Sequence, residues 1–210
     1  MKRLSGLTGY GRAGSGKRPL YHQGVGHTIP RSPHPQSKPV ILETERLTLR
    51  PLAAEDARAL HRIMSDPQAV AHWDIAAIED PDVVDTMVEA QIREMAEGLA
   101  FYWSVVRVSE GWFLGSCDLS EIDRKKHFAE IGFVLGHDAS RDGFGLEALR
   151  AVLSHAASLS LKRLFARTPV GAERSEAMLA ELGFKTQGYQ RGHIQRDGER
   201  RDYRLFGLTL

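Results

Sequence analysis

Ala129-Glu-Ile-Gly-Phe-Val-Leu135, followed by Gly143-Phe-Gly145 and Leu146-Glu-Ala-Leu149, is the stretch whose reading decides the fold. Its first part reads as a short strand. Its last part opens an amphipathic helix near Leu146, in which Leu149, Val152, Leu153 and Ala156 form one apolar stripe. Glycines at such a junction let a ligand approach the backbone without Cβ interference and leave N–H groups pointing outward. The positive end of the helix strengthens the attraction, so Gly143-Phe144-Gly145 is a candidate cradle for a pyrophosphate. The plainer alternative is a tight strand-to-helix turn.

Outward from this junction, the pattern is orderly from Ile41 onward. Arg46-Leu-Thr-Leu-Arg50 alternates like a half-buried strand. Glu55 and Asp56 begin a helix that carries Ala57, Leu60, Ile63 and Met64 inward. Asp80-Pro81 reads as an N-cap followed by an N1 proline, opening a second helix that Gly98 ends. Ala100–Val108, Trp112–Leu119 and His127–Leu135 read as three strands. After the glycine junction and its helix come a strand over Arg163–Thr168 and a short helix over Ser175–Leu182, stopped by Gly183. Phe184–Ile194 and Arg201–Leu208 read as a hairpin around Asp197-Gly198. The predicted order is β-α-α-β-β-β-α-β-α-β-β.

Residues 1–38 differ in kind. They are rich in Gly, Pro, Ser and His, carry seven of the 28 Lys/Arg and contain no acid, which leaves 21 basic against 27 acidic residues beyond them. Such a segment cannot bury enough apolar surface to offset its ordering entropy and reads as a flexible basic tail, with the folded domain spanning 39–210. Gly9-Tyr-Gly11-Arg-Ala-Gly14 and Gly11 to Lys17 mimic nucleotide-binding loops. Neither lies between a strand and a helix, and Arg18 stands where a P-loop needs Ser or Thr.

A mildly acidic domain is not built for direct nucleic-acid binding. Hydrophobic residues make up 42% of the chain, enough to fill one core, and no apolar run reaches the length of a membrane span. The lone Cys117 excludes an internal disulfide, and the expected location is the cytoplasm. The nine histidines show no metal-ligand spacing, so no metal is expected.

Four stretches together resemble the GNAT superfamily of acetyl-CoA-dependent N-acyltransferases, within it the ribosomal-protein-alanine acetyltransferase group. They are Leu42-Glu-Thr-Glu-Arg-Leu-Thr-Leu-Arg-Pro51, Ala129-Glu-Ile-Gly-Phe133, Ser140-Arg-Asp-Gly-Phe-Gly-Leu-Glu-Ala-Leu149, and Ser175 through Leu182-Gly183-Phe184. The resemblance covers about residues 41–209. It implies an α/β (α+β) acyltransferase domain with a mostly antiparallel central sheet, flanking helices, and a V-shaped gap between strands near Val134 and Phe165. It also implies acetyl-CoA as cosubstrate and direct transfer of acetyl to a primary amine, a protein N-terminal α-amine or a small amine or aminoglycoside. A homodimer is compatible with it.

The resemblance assigns the pyrophosphate to Ser140, Arg141, Asp142, Gly143, Phe144 and Gly145. It assigns the oxyanion to a backbone N–H at Val134 or Leu135. Glu130, on the same strand face as Gly132 and Val134, is the candidate proton acceptor, since a half-buried Glu among apolar neighbours has the raised pKa a general base needs; the alternative is a solvated strand residue paired with a Lys or Arg. Asp118 and His127 are weaker candidates, expected on the surface. Ser175 is the candidate proton donor, because Leu179 stands where many members carry a tyrosine; a helix N-terminal hydrogen bond is its alternative. His72-Trp73 could help floor the acceptor pocket or simply pack. Cys117 reads as a buried small hydrophobe and not as a nucleophile.

Three departures keep a non-catalytic acyl-CoA-binding module open: Ala172 for the usual Asn, Asp142 near the pyrophosphate, and Leu179. A like-charge contact at Asp142 in near-aqueous dielectric costs on the order of 1 kcal/mol. Deprotonating a lysine amine near neutral pH costs roughly 4–5 kcal/mol, an α-amine about 1. One modest carboxylate therefore suits the α-amine better.

Overall fold

The computed structural model describes residues 39–70, 77–137, 139, 142–196 and 199–210. The expected tail 1–38, His72-Trp73, Ser140, Arg141 and the Asp197-Gly198 turn lie outside the described residues.

Alternation places Leu47 and Leu49 wholly inside and leaves Thr48 and Arg50 on the other face of β2 (Leu47–Pro51). A two-residue β1 (Leu42–Glu43), too short to give a periodic signal, pairs with it. A 3-10 turn at Ala54–Asp56 leads into α1 (Ala57–Met64). The Asp56 carboxylate fixes that corner: it accepts both arms of Arg50 at 2.6 and 2.7 Å, the Ser104 hydroxyl at 2.6 Å and the Ala53 N–H at 3.0 Å. The α2 helix (Pro81–Ala96) starts as expected, with the Asp80 side chain accepting from the Asp82 N–H at 3.0 Å and proline at its first turn.

Three antiparallel strands follow: β3 (Phe101–Arg107), β4 (Phe113–Asp123) and β5 (Phe128–Leu135). Then come α3 (Phe144–Ser158), β6 (Arg163–Pro169), α4 (Glu173–Glu181), β7 (Lys185–Arg196) and β8 (Glu199–Thr209). The α3 helix begins two residues before the expected Leu146, because Phe144 is buried and Gly143 supplies the left-handed residue ahead of it. The eight strands form one sheet in the order β1-β2-β3-β4-β5-β6-β8-β7. Among the described residues every neighbouring pair is antiparallel except β5 and β6.

Each sheet face has its own core. Leu47, Leu49, Trp103, Val105, Leu119, Ile131 and Leu164 pack under α3 and α4, against Leu149, Val152 and Leu179. On the opposite face Tyr102 and Val134 meet Leu60 and Met64 of α1 and Val84, Met87 and Val88 of α2. That second face of the sheet also carries the polar residues of β4 and β5, and it positions the site. Among the described residues no helix is long and apolar enough to cross a membrane.

Candidate active site

The junction after β5 has the geometry of an anion cradle. Gly143 sits in the left-handed region, φ +76°, where a side chain would be strained, and no side chain caps the start of α3. The first N–H groups of that helix are therefore unclaimed by a capping group. Gly145 is required for another reason. A Cβ there would stand 2.6 Å from Leu135 Cδ1 and 3.1 Å from Met178 Sδ, so only glycine lets α3 start this close to β5 and α4.

The back of the cradle is tied to β2. The Glu147 carboxylate accepts the Thr44 hydroxyl at 2.5 Å, the Arg46 N–H at 3.0 Å and Arg46 Nε at 2.6 Å. Partial burial works against the Glu147 charge, but these bonds outweigh it and lower its pKa. Arg46 also donates to the Asp142 carbonyl at 3.1 Å and lies over the Phe144 ring, 4.4 Å from its centre. A cation thus stands beside the loop whose Asp142 carboxylate would oppose an anion.

Next to the cradle the sheet opens. Parallel pairing of β5 with β6 ends at Glu130↔Phe165, whereas β5 continues to Leu135 beside β4. The Gly136 N–H donates to the Leu114 carbonyl at 2.9 Å. Alternation along an antiparallel ladder then turns the backbone of Val134 toward β4 and that of Phe133 and Leu135 toward the gap. Gly115 permits this arrangement: with φ +148° it passes so close that a Cβ would lie 2.1 Å from the Val134 carbonyl oxygen.

Beside the gap, on the α1–α2 face, lies a carboxylate cluster. Glu130 lacks the apolar surroundings expected of a base and is paired with a cation, as in the alternative, but mostly buried and not solvated. Arg167 grips it with both arms, Nε to Oε1 at 2.8 Å and Nη2 to Oε2 at 2.7 Å, and both side chains are mostly buried. Asp118 is not on the surface as expected. It is 6% exposed, because β3, β5 and α2 close over β4 at this point. Its carboxylate leans over Gly132, whose Cβ would meet Asp118 Oδ1 at 2.4 Å. Burial pushes the Asp118 carboxyl up to about 7, with Glu130 and Glu94 adding to the rise. The Ser120 hydroxyl is near enough to ease ionisation, yet no hydrogen bond of good geometry reaches Asp118 Oδ2 or Ser120 Oγ. Glu94 itself accepts the Tyr102 hydroxyl at 2.8 Å.

The remaining candidates fall elsewhere. Ser175 is half-buried in the first turn of α4, whose N-cap Ala172 offers no side-chain bond. Leu179 is completely buried and carries no proton. His127 faces the turn ahead of β5, its Nδ1 3.0 Å from the Ser160 carbonyl oxygen. Cys117 is buried on the opposite face from Asp118, and burial pushes its thiol far up. Asp118 and Arg167 are the residues that sequence reasoning undervalued. The alternation Ser116-Cys-Asp-Leu-Ser120 already put three polar side chains on one strand face, a signal that this face is not ordinary core.

Comparison with known proteins gives the family and the fold. The family model of the acetyltransferase (GNAT) domain matches residues 46–185. An uncharacterised N-acetyltransferase of Bacillus licheniformis is 30% identical over 168 residues, 80% of this chain and 94% of that protein. The [ribosomal protein uS5]-alanine N-acetyltransferase of Escherichia coli is 30% identical over 115 residues, 54% of this chain and 59% of that one. The crystal structure of spermidine N-acetyltransferase from Vibrio cholerae with CoA and spermine superposes with a TM-score of 0.69 at 18% identity, covering 79% of this chain and 96% of that one.

Proposed function

Because this chain belongs to the GNAT acetyltransferase family and is an acetyl-CoA-dependent N-acetyltransferase, we propose that it acetylates a protein N-terminal α-amine directly, in one ternary complex. The observation that carries this reading is the early end of β5–β6 pairing at Glu130↔Phe165, next to a helix start with no capping side chain. Together these offer a backbone edge for an extended amide-bearing arm and a positive helix end for its diphosphate.

In this reading the N–H groups of Asp142, Gly143, Phe144 and Gly145 hold the pyrophosphate, joined by Ser140 and Arg141. Arg46, itself paired with Glu147, holds the Asp142 backbone carbonyl in this loop. Acetyl-CoA supplies the activated thioester carbon. The Leu135 N–H meets the oxyanion, since it faces the gap, while Val134 lines the acceptor side with its side chain. Ser175 is the hydroxyl placed to protonate the departing thiolate. Cys117 takes no part, so acetyl passes straight to nitrogen without an acyl-enzyme. An α-amine suits a site whose bases are carboxylates, because about 1 kcal/mol deprotonates it where a lysine needs roughly 4–5. The uS5-alanine relative acts on such a terminus by its name. We place the protein in the cytoplasm, where chain termini meet acetyl-CoA.

The carboxylates Glu94, Asp118 and Glu130 favour one second reading, a small polycationic amine. Calorimetry with acetyl-CoA, followed by free-thiol release over alanine- and serine-initiated peptides, Nα-blocked lysine peptides, spermidine and an aminoglycoside, separates these. Binding in the micromolar range and release fastest with the unblocked peptides are expected, and Gly145→Asp should abolish both. Binding without release on any amine would establish a non-catalytic module instead. Release on spermidine alone would move the acceptor to polyamines.

A further inference from the structure

We propose that Asp118 is the proton acceptor for the attacking amine, and that Glu130, held by Arg167, sets its surroundings without taking the proton. This rests on the acetyltransferase reading above. Both oxygens of Glu130 are occupied by the Arg167 fork, and a carboxylate bound in that way is stabilised as the anion and loses basicity. Asp118 has the opposite situation. Among the described residues its Oδ2 is completely buried and no hydrogen bond of good geometry reaches it, a state that native proteins seldom leave unexplained.

The carboxylate is aimed at the gap. Asp118 stands on β4 opposite Gly132 of β5, the strand that lines the opening, and Oδ1 occupies the space where a Gly132 side chain would begin. Glycine at 132 therefore admits the carboxylate over β5, between Glu130 and Val134. Among the described residues the groups facing Asp118 are Ser120 on its own strand, Tyr102 of β3, Glu94 of α2 and Glu130 of β5 with its Arg167 partner from β6. The α1 side contributes the apolar Leu60 and Met64. Two acids nearby and one cation already spent on Glu130 favour the protonated form of Asp118, which gives the carboxylate the basicity a proton acceptor needs near neutral pH.

The step balances without further reagents. The ammonium form of the acceptor gives one proton to the Asp118 carboxylate, and the freed nitrogen lone pair attacks the thioester carbon. The C–N bond forms, the C–S bond breaks, Ser175 gives its hydroxyl proton to the thiolate to make free CoA thiol, and the nitrogen's second proton restores the hydroxyl. Asp118 then releases its proton to solvent.

The test uses the full chain, acetyl-CoA and an alanine-initiated peptide. Wild-type kcat/KM should rise with pH through a limb near 7 that Asp118→Asn removes. kcat should fall about 100-fold or more, with the KM for acetyl-CoA changed less than about twofold. A peptide analogue ending in a hydrazide, whose –NH2 is already neutral at pH 7, should narrow the gap between variant and wild type to a few-fold, a rescue that a structural role would not give. Asp118→Asn activity within about threefold of wild type, or a loss equal for amine and hydrazide, overturns the proposal. If the variant does not fold, the Asp118 carboxyl is titrated by 13C NMR in the wild-type protein. Coincidence with the kinetic limb supports the role, and titration below pH 5 overturns it. A wild-type protein that binds acetyl-CoA and acetylates no amine removes the acetyltransferase reading and the Asp118 role together, a result distinct from an active wild type with an unaffected variant.

Discussion

Replacing Asp118 with asparagine should change stability in a way that depends on pH, with a sign opposite to that of a carboxylate held by an ion pair. Burial raises this carboxyl from 3.8 to about 7. Well below pH 4 it is protonated in the folded and the unfolded chain alike and contributes nothing. Between these two values the unfolded chain has released its proton while the folded chain still holds one, so stability falls as pH rises and levels off above about 7. A gap of about three pK units corresponds to about 4 kcal/mol lost by pH 8, of which only about 1 kcal/mol is lost by pH 4.5. Asparagine does not titrate. Its unpartnered amide adds a constant cost of about 1–3 kcal/mol. The stability difference, variant minus wild type, should therefore grow by roughly 3 kcal/mol between pH 4.5 and pH 8, independent of that constant. Urea unfolding of both proteins across this range measures it directly. A difference that stays flat with pH would mean that Asp118 is ionised as readily in the folded protein as in the unfolded one, and the argument from burial would fail.

Two further outcomes follow from other parts of the molecule. Arg167→Met should cost about 3–5 kcal/mol because it strands the mostly buried Glu130 charge, and adding Glu130→Gln should recover much of the loss; equal stability of the single and double variants in thermal melts would refute the pairing. The Cys117 thiol, buried and with its pKa pushed far up, should react with a disulfide reagent only as fast as the protein opens; rapid labelling of the native protein would contradict its burial.

The strand and helix order was legible because the chain punctuates itself strongly. Asp80-Pro81 starts α2, Gly98 follows its end and Gly183 stops α4, each with the cap geometry its residue type favours. The glycine junction was legible for the same reason, since only a left-handed or closely approached backbone needs glycines there. Periodicity did not reveal β1, whose two residues hold less than one full alternation. Nor could it reveal the carboxylate cluster. Alternation says that Ser116, Asp118 and Ser120 share a face, but not that Glu94 from α2 and Glu130 from β5 gather around it. The Glu130–Arg167 pair lies 37 residues apart in sequence and depends on the parallel register that sets Glu130 beside Phe165, two positions before Arg167. Such contacts follow from tertiary register, which local patterns do not encode.

The parting of β5 from β6 gives this open sheet borders in its middle as well as at its rims. Exposed strand borders ordinarily invite other chains to add on, and proteins shorten or shield them. Here the backbone of Phe133 and Leu135 is recessed between two diverging arms, with α3 and α4 packed against one side. The opening is bounded by β5 and β6, and one slender chain with its own amides can pair with the backbone left bare there. The molecule thereby holds bare strand backbone inside its sheet as well as along the outer rims.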